Sequence, residues 1–147
     1  MLDLALSVAH HLLIFALFAT LVTELALVGG EMSAALARRI ASIDLWYGVL
    51  AGLIVVVGSS RVVFAAKGWF YYAHNVFFWA KMTSFLAIAL LSAPPTLTYM
   101  RCKRAQSGLT AAQARRVRRF LWLEIALFAP LLVFAAAMAR GYGEMVK

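Results

Sequence analysis

The sequence predicts an all-α membrane protein, a four-helix transmembrane bundle forming a single domain over residues 1–147, with both termini outside. Of the 147 residues, 65% are hydrophobic and only 14% are charged, whereas about 45–50% of the residues in a soluble domain are apolar. The chain also contains four long apolar stretches, and Lys and Arg gather in alternate connections between them. These three observations predict a multi-pass protein of the bacterial inner membrane.

Each apolar stretch has the length that a membrane-spanning helix needs, about 20 residues for a hydrocarbon core about 30 Å thick. We predict transmembrane helices near residues 4–28, 43–64, 76–98 and 120–140. The first stretch is not expected to be a cleaved signal peptide, because Asp3 stands where such a peptide carries basic residues and because the apolar run is too long.

The orientation follows from the distribution of Lys and Arg. The first and third connections hold nine of them: Arg38, Arg39, Arg101, Lys103, Arg104, Arg115, Arg116, Arg118 and Arg119. The second connection and the C-terminus hold four: Arg61, Lys67, Arg140 and Lys147. Because connections rich in Lys and Arg stay in the cytoplasm, the first and third connections are predicted to be cytoplasmic and both termini outside.

Composition also excludes several classes of function. The net charge of +8 fits this positive-inside pattern, so we expect no nucleic-acid partner. Cys102 is the only cysteine, which excludes a disulfide framework and covalent attachment of a c-type haem. Neither a zinc-binding spacing nor a Ser-His-acid arrangement is discernible. A cofactor must therefore be held without covalent bonds.

Ionisable side chains in the first helix recur every seven residues. Asp3, His10, Leu17 and Glu24 fall on one stripe, because seven residues turn a helix by roughly 700°, about 20° short of two turns. This stripe must face the bundle, since lipid penalises both acids. His11 lies on a stripe that is otherwise apolar, so we predict that His10 is the inward histidine.

A second group of basic residues is expected at the same depth as His10. On the third predicted helix, His74 and Lys81 are seven residues apart and are predicted to share a face. Arg61 and Lys67 add positive charge at the outer end of the second helix. A neutral imidazole ligates haem iron, and cations pair with the propionates. The pattern favours a haem b site in which His10 ligates the metal and Arg61, Lys67, His74 and Lys81 surround the cofactor.

The residues of this predicted site also suit simpler structural roles. Arg61 and Lys67 are consistent with snorkelling to head groups, Lys81 with an ion pair to an acidic side chain, and His10 with a hydrogen bond across helices. The aromatic run 69–72 is typical of an outer interfacial belt and equally suits a wall over a porphyrin or quinone.

Features at the predicted inner side support alternative functions. Glu24, Asp44 and Glu124 lie near the inner ends of their helices, and with Lys81 they form the relay expected of a small proton or solute transporter. Another alternative is a non-catalytic assembly or accessory subunit, whose partner would meet a small-residue face on the second helix or the basic third connection.

Local signals predict three details of the helices. Gly48 and Gly52 are four residues apart and would let the second helix approach a neighbour closely. Thr110, three residues before Gln113, predicts a capping box for a basic helix that runs into the fourth span. The prolines in the membrane are expected to kink or end helices; they are Pro94, Pro95 and Pro130.

Several short motifs resemble a bacterial family of small membrane proteins whose function is not assigned. They are Asp44-x-x-Tyr47-Gly48, Gly58-x-x-Arg61-Val62, Phe78-Trp79-Ala80-Lys81-Met82 and Ser92-Ala93-Pro94-Pro95-Thr96. The resemblance spans the first three helices and names no reaction.

More distantly, His10 and Lys81 resemble in position the histidine and lysine of HemJ-type protoporphyrinogen oxidases, four-helix membrane proteins that bind b-type haem. The resemblance implies that His10 is an axial ligand and that Lys81 is a second ligand or a charge near the porphyrin. HemJ-type proteins carry a Trp and a Pro-Arg pair later in the first helix, where this chain has Ala19-Thr20 and Thr23-Glu24. The resemblance therefore bears more directly on haem binding than on the oxidase activity.

The leading expectation is an integral membrane protein that binds b-type haem, with an oxidoreductase activity on a porphyrin, quinone or small oxidant. Its expected partners are the lipid bilayer and either a second copy of the chain or a partner membrane protein.

Overall fold

Helices make up almost all of the part of the chain that the computed structural model describes, residues 2–64 and 68–145. Four are long: α1 (Leu2–Leu27), α2 (Ala34–Phe64), α4 (Val76–Arg104) and α5 (Ala111–Ala139). A fifth, α3 (Gly68–Ala73), is short. Each long helix is apolar enough over a sufficient length to cross a membrane. The predicted all-α class and the four spans are confirmed.

The short helix α3 was not predicted. Its sequence is the aromatic run, and it ends because Asn75 begins a new helix. The Asn75 side chain accepts hydrogen bonds from the backbone N–H groups of Phe77 and Phe78, at 2.9 and 3.3 Å. A side-chain oxygen at this position satisfies N–H groups that have no partner within the helix. Helix α4 therefore begins directly after Asn75.

The long helices extend beyond the predicted spans at their arginine-rich ends. Arg38 and Arg39 were assigned to the first connection, but they lie in the first turns of α2. Arg101, Lys103 and Arg104 likewise form the last turn of α4. Hydropathy marks only the apolar part of a helix, whereas Arg and Lys favour helix almost as strongly as Leu. The connections are consequently short.

The start of α5 agrees with its predicted signal. The Thr110 hydroxyl accepts a hydrogen bond from the Gln113 backbone N–H, and the Gln113 side chain accepts one from the Thr110 backbone. The predicted capping box is confirmed. The three prolines end no helix: Pro94 and Pro95 lie within α4, and Pro130 lies within α5.

The four long helices form a bundle in which helices adjacent in sequence are neighbours. Helix α1 packs against α2 and α5, and α4 packs against the same two helices. Large apolar side chains cover the outer surface; Phe15 is 71% exposed and Leu90 is 66% exposed. A soluble domain does not expose apolar surface of this extent, so this surface is expected to contact lipid.

Two pairings of connecting segments close the ends of the bundle. At the arginine-rich end, where α2 and α5 begin, the Met32 backbone N–H donates to the Leu109 carbonyl at 3.0 Å. At the other end, here called the terminal end, the Val76 N–H donates to the Gly143 carbonyl at 2.9 Å. The N-terminal end of α1, α3 and residues 141–145 share the terminal end. The first and last described residues, 2 and 145, therefore lie at one end, although which side of the membrane it faces stays a prediction.

Candidate functional site

The polar side chains inside the bundle fall into two layers. The His10 layer, near the terminal end, consists of His10, Arg61 and Lys81. The acidic layer, nearer the arginine-rich end, consists of Glu24, Asp44 and Glu124. On α1 the two layers are fourteen residues apart, or about 21 Å along the helix. Leu17, which is 2% exposed, lies between them.

His10 is turned toward helix α2. Its ring lies beside Gly58, where an added Cβ would be 3.4 Å from Cε1 of His10. The imidazole is thus accommodated at a residue that has no side chain. Nδ1 of His10 is buried and has no hydrogen-bond partner in the described part of the chain. A buried nitrogen without a partner is uncommon and suggests that a ligand is expected there.

His11 occupies a different environment. It is exposed on the surface of α1, and its Nδ1 lies 2.7 Å from the carbonyl oxygen of Ser7, one turn earlier. The rings of His10 and His11 are 6.3 Å apart and nearly perpendicular. The structure therefore has the helix orientation that the seven-residue stripe predicted. The assignment of His10 as an iron ligand stays a prediction.

Lys81 and Arg61 are brought to His10 by α4 and α2. Both act electrostatically on the His10 ring. The Lys81 ammonium lies 5.9 Å from the centroid of the Phe78 ring, and the charged neighbour of Lys81 is a second cation, Arg61. The acidic partner that we allowed for Lys81 is not found among the described residues.

His74, another residue of the predicted site, is placed otherwise. His74 precedes α4, in the turn before Asn75, so the seven-residue spacing that put it on one helical face with Lys81 does not apply. The His74 ring stacks on Phe70 at 4.0 Å, and its Nδ1 lies 2.9 Å from the Phe70 carbonyl oxygen. Lys67 lies outside the described residues.

The aromatic run joins the terminal end to the bundle. The Tyr71 hydroxyl donates to the Met138 carbonyl on α5 at 2.9 Å. Trp69 and Phe78 make an edge-to-face contact at 6.4 Å, so the run reaches the ring beside Lys81. Trp69 is itself 60% exposed. This arrangement agrees with both predicted roles, an interfacial belt and a wall beside the His10 layer.

The acidic layer is the more enclosed of the two. Glu24 on α1 is 2% exposed, Asp44 on α2 is 6% exposed and Glu124 on α5 is 1% exposed. Their positions follow helical periodicity: on α5, Glu124 takes a core position between Leu121 and Phe128, three and four residues away. Helices α1, α2 and α5 thus each contribute one carboxyl group to the interior of the bundle.

Hydroxyl groups on the facing helices complete this layer. The Tyr47 hydroxyl donates to Oε2 of Glu124 at 2.9 Å, and the Thr96 hydroxyl donates to Oδ1 of Asp44 at 2.8 Å. Tyr99 interacts with Glu24. Sequence reasoning missed all three hydroxyl groups as parts of a site. Tyr47 carried a signal, since it follows Asp44 by three residues and so shares its face.

A groove of about 780 Å³ runs between α2 and α4 and reaches the acidic layer. Its walls are largely apolar, and Asp44 and Tyr47 contribute to them. Lys103 and Arg104 line its opening at the arginine-rich end. Gly48 also lines the groove, and a Cβ added there would touch nothing within 4 Å. The close approach that we predicted at Gly48 and Gly52 is therefore not made within the described chain.

The described residues contain no group of three His, Cys, Asp or Glu side chains arranged to hold a metal ion. Three carboxyl groups in one layer are thus not, by their geometry, a metal centre. Among the described residues, His10 is the one imidazole of the His10 layer, which is consistent with haem and not with a zinc site.

Comparison with known proteins gives one match. The sequence model of the family described as "predicted membrane protein (DUF2214)" matches residues 2–143. No curated protein and no solved structure matches the chain. The comparisons therefore do not show the likeness to HemJ-type oxidases.

Proposed function

The chain belongs to the DUF2214 family of predicted membrane proteins, and on that premise we propose that it binds a b-type haem in the His10 layer. One observation carries the proposal: the half-buried imidazole of His10 faces helix α2 at a glycine and presents a buried nitrogen that has no partner among the described residues. A neutral imidazole is the usual protein ligand of haem iron, and the ring nitrogen that does not bind the iron normally donates a hydrogen bond.

The charges around His10 support an anionic ligand. Lys81 is half-buried, and its charged neighbour is another cation. A cation within a membrane bundle costs several kcal/mol unless it is paired or hydrated. The two carboxylates of a haem would provide this pairing, with Lys81 and Arg61 as the residues that hold them. The resemblance of His10 and Lys81 to the HemJ-type pair supports the same assignment.

Bound haem would supply one-electron redox chemistry, and the reaction class that we propose is an oxidoreductase acting on a porphyrin, quinone or small oxidant. The chain's own contribution is to ligate, to orient and to exclude water. His10 would hold the metal from α1, and the α3 aromatic run, which contacts Phe78, would cover the layer from the terminal end.

The experiment is the absorption spectrum of the protein purified in mild detergent without added haem. We expect a Soret band in the wild type. His10→Ala should abolish or shift this band, because the nitrogen ligand is lost. His11→Ala is the matched control, since His11 is adjacent but exposed, and its spectrum should be unchanged. Sensitivity of the band to His11 and not to His10 would contradict the assignment.

The Lys81→Met variant tests the role of the cation separately from that of the iron ligand His10. If Lys81 pairs with a propionate, the variant should contain less haem per protein while its remaining Soret band keeps the wild-type position. Lys103→Met, at the arginine-rich end, should keep the full haem content. No Soret band in the wild type, even after addition of haemin, would remove the proposal and leave the accessory-subunit and transporter hypotheses.

A further inference from the structure

The proposed haem site does not use the acidic layer. This layer contains three buried carboxyl groups, and ionised carboxylates within a membrane bundle are energetically costly. Glu24, Asp44 and Glu124 come from three helices and act on one another electrostatically. The groups that face them are hydroxyls: Tyr47 from α2 and the α4 pair Thr96 and Tyr99. In the described part of the chain, none of the four long helices brings a cation into this layer.

Arg118, a part-buried basic side chain of α5, is occupied elsewhere. Its Nη1 donates to the carbonyl oxygens of Leu25 and Val28, at 3.2 and 2.7 Å. Leu25 lies in the last turn of α1 and Val28 directly follows the helix, where carbonyl groups have no intrahelical partners. Arg118 therefore stabilises the end of α1 and is not directed at the carboxyl groups.

Several polar atoms in this layer lack hydrogen-bond partners. Oε1 of Glu24 and Oε1 of Glu124 are buried without a partner among the described residues. The Tyr99 hydroxyl is oriented toward Glu24, yet its geometry does not meet that of a hydrogen bond, although Tyr99 is fully buried. Three ionised carboxylates in this setting would each cost several kcal/mol and would repel one another. Protons on the carboxyl groups remove the charge and supply the missing donors.

The groove between α2 and α4 extends from this layer toward the arginine-rich end. Asp44 and Tyr47 line it, and so do Lys103 and Arg104. Tyr47 in turn donates to Glu124. The groove thus contacts Asp44 directly and Glu124 through the hydroxyl group of Tyr47.

We propose that Glu24, Asp44 and Glu124 form a proton-binding site, which exchanges protons through this groove with water at the arginine-rich end. The proton comes from water in the groove and returns to it, so the step needs no other reactant. The site is independent of haem. By the positive-inside pattern, the water is that of the cytoplasm.

Infrared spectroscopy of the folded protein in a detergent without ester groups, near neutral pH, tests the site directly. Protonated carboxylic acids have a C=O stretching band that carboxylates and amides lack and that shifts in D₂O. We expect this band in the wild type and a loss of intensity in Glu24→Gln and in Glu124→Gln. Glu31→Gln, which changes an exposed acid in the first connection, should retain the full band.

The groove is tested by the rate at which the band shifts after transfer into D₂O. Gly48→Leu fills the groove, whereas Gly52→Leu places the same side chain one turn away, outside its lining. Neither substitution meets another atom within 4 Å of the Cβ. We expect slower exchange in Gly48→Leu only.

Each result decides one part of the proposal. Absence of the band from folded wild-type protein, or its persistence in both Gln variants, would overturn the proton-binding site. Equal exchange rates in the two Leu variants would overturn the groove as the route. The infrared result does not depend on whether the purified protein shows a Soret band. Failure of the proton-binding proposal can therefore be distinguished from failure of the haem proposal.

Discussion

Single hydroxyl groups in the acidic layer determine how buried carboxyl groups are satisfied. Tyr47 is 6% exposed and donates to Glu124, which is 1% exposed. Removal of one partner from a buried polar group costs about 1–3 kcal/mol, because the other partner remains desolvated. At this scale, the stability of the bundle depends on atoms that hydropathy does not register.

Tyr47→Phe should accordingly lower the melting temperature in detergent, by an amount equivalent to about 1–3 kcal/mol of unfolding free energy. The substitution keeps the ring and removes only the donor to Glu124. Tyr142→Phe is the control, since Tyr142 is 62% exposed, and it should be neutral. Equal melting temperatures for Tyr47→Phe and wild type would mean that water replaces the lost donor.

A glycine has a comparable role where the two connections of the arginine-rich end meet. A Cβ at Gly108 would overlap the carbonyl oxygen of Met32, and the clash is with backbone that cannot rotate away. The backbone bond from Met32 to Leu109 lies beside this contact. Only a residue without a side chain lets the two connections approach this closely.

We therefore expect Gly108→Ala to destabilise the protein by about 1–3 kcal/mol, the usual cost of an added methyl group in a packed site. Thermal unfolding in detergent measures it. Gly29→Ala, in the first connection with nothing within 4 Å of its Cβ, should have no such effect. A similar loss in both variants would show that the connections are sensitive to any change.

At the scale of the helices, side-chain hydrogen bonds determine where α4 and α5 begin, which the limits of the apolar spans do not. Helix α5 begins at Ala111, nine residues before its predicted span, because Thr110 and Gln113 form a reciprocal cap. The arginines between this cap and the predicted span are therefore held on a rigid helix. Asn75 fixes the start of α4 in the same way.

Thr110→Ala should cost about 1 kcal/mol, the typical value for loss of an N-cap side chain. Thr110→Ser keeps the hydroxyl group and should retain the wild-type melting temperature in detergent. If Ser and Ala destabilise equally, the methyl group of Thr110 and not the cap is what matters.

At the scale of the whole molecule, the four spans and the two end pairings place the first and last described residues at one end of the bundle. The His10 layer is near that end, and the arginine-rich connections are at the other. Once the side of the membrane that the terminal end faces is known, the order of the two polar layers across the membrane is known as well.

Because connections rich in Arg remain in the cytoplasm, a periplasm-active reporter fused after Lys147 should be active and a cytoplasm-active reporter there should be silent. A fusion in the connection after Gln106 should give the opposite pair of results. The same reporter active at both positions would contradict the crossing of the membrane by α5, which separates the two fusion points.

The sequence by itself determined the all-α class, the four spans and the separation of a basic layer from an acidic one. Lipid requires long apolar helices whose backbone groups bond internally, and it penalises exposed charge, so a one-dimensional pattern carries this information. The same argument placed His10 inside and His11 outside, because a seven-residue stripe depends only on the pitch of one helix.

Only the tertiary structure decided which side chains of different helices face one another. Thr96 meets Asp44 and Tyr47 meets Glu124 across sequence separations of 52 and 77 residues, and no periodicity within one helix reports such pairs. His74 was misplaced for a related reason, since the side-chain cap at Asn75 interrupts the helix that the apolar pattern continues. The groove beside Asp44 likewise exists because α2 and α4 part there, and the relative placement of two helices is set by the packing of the whole bundle.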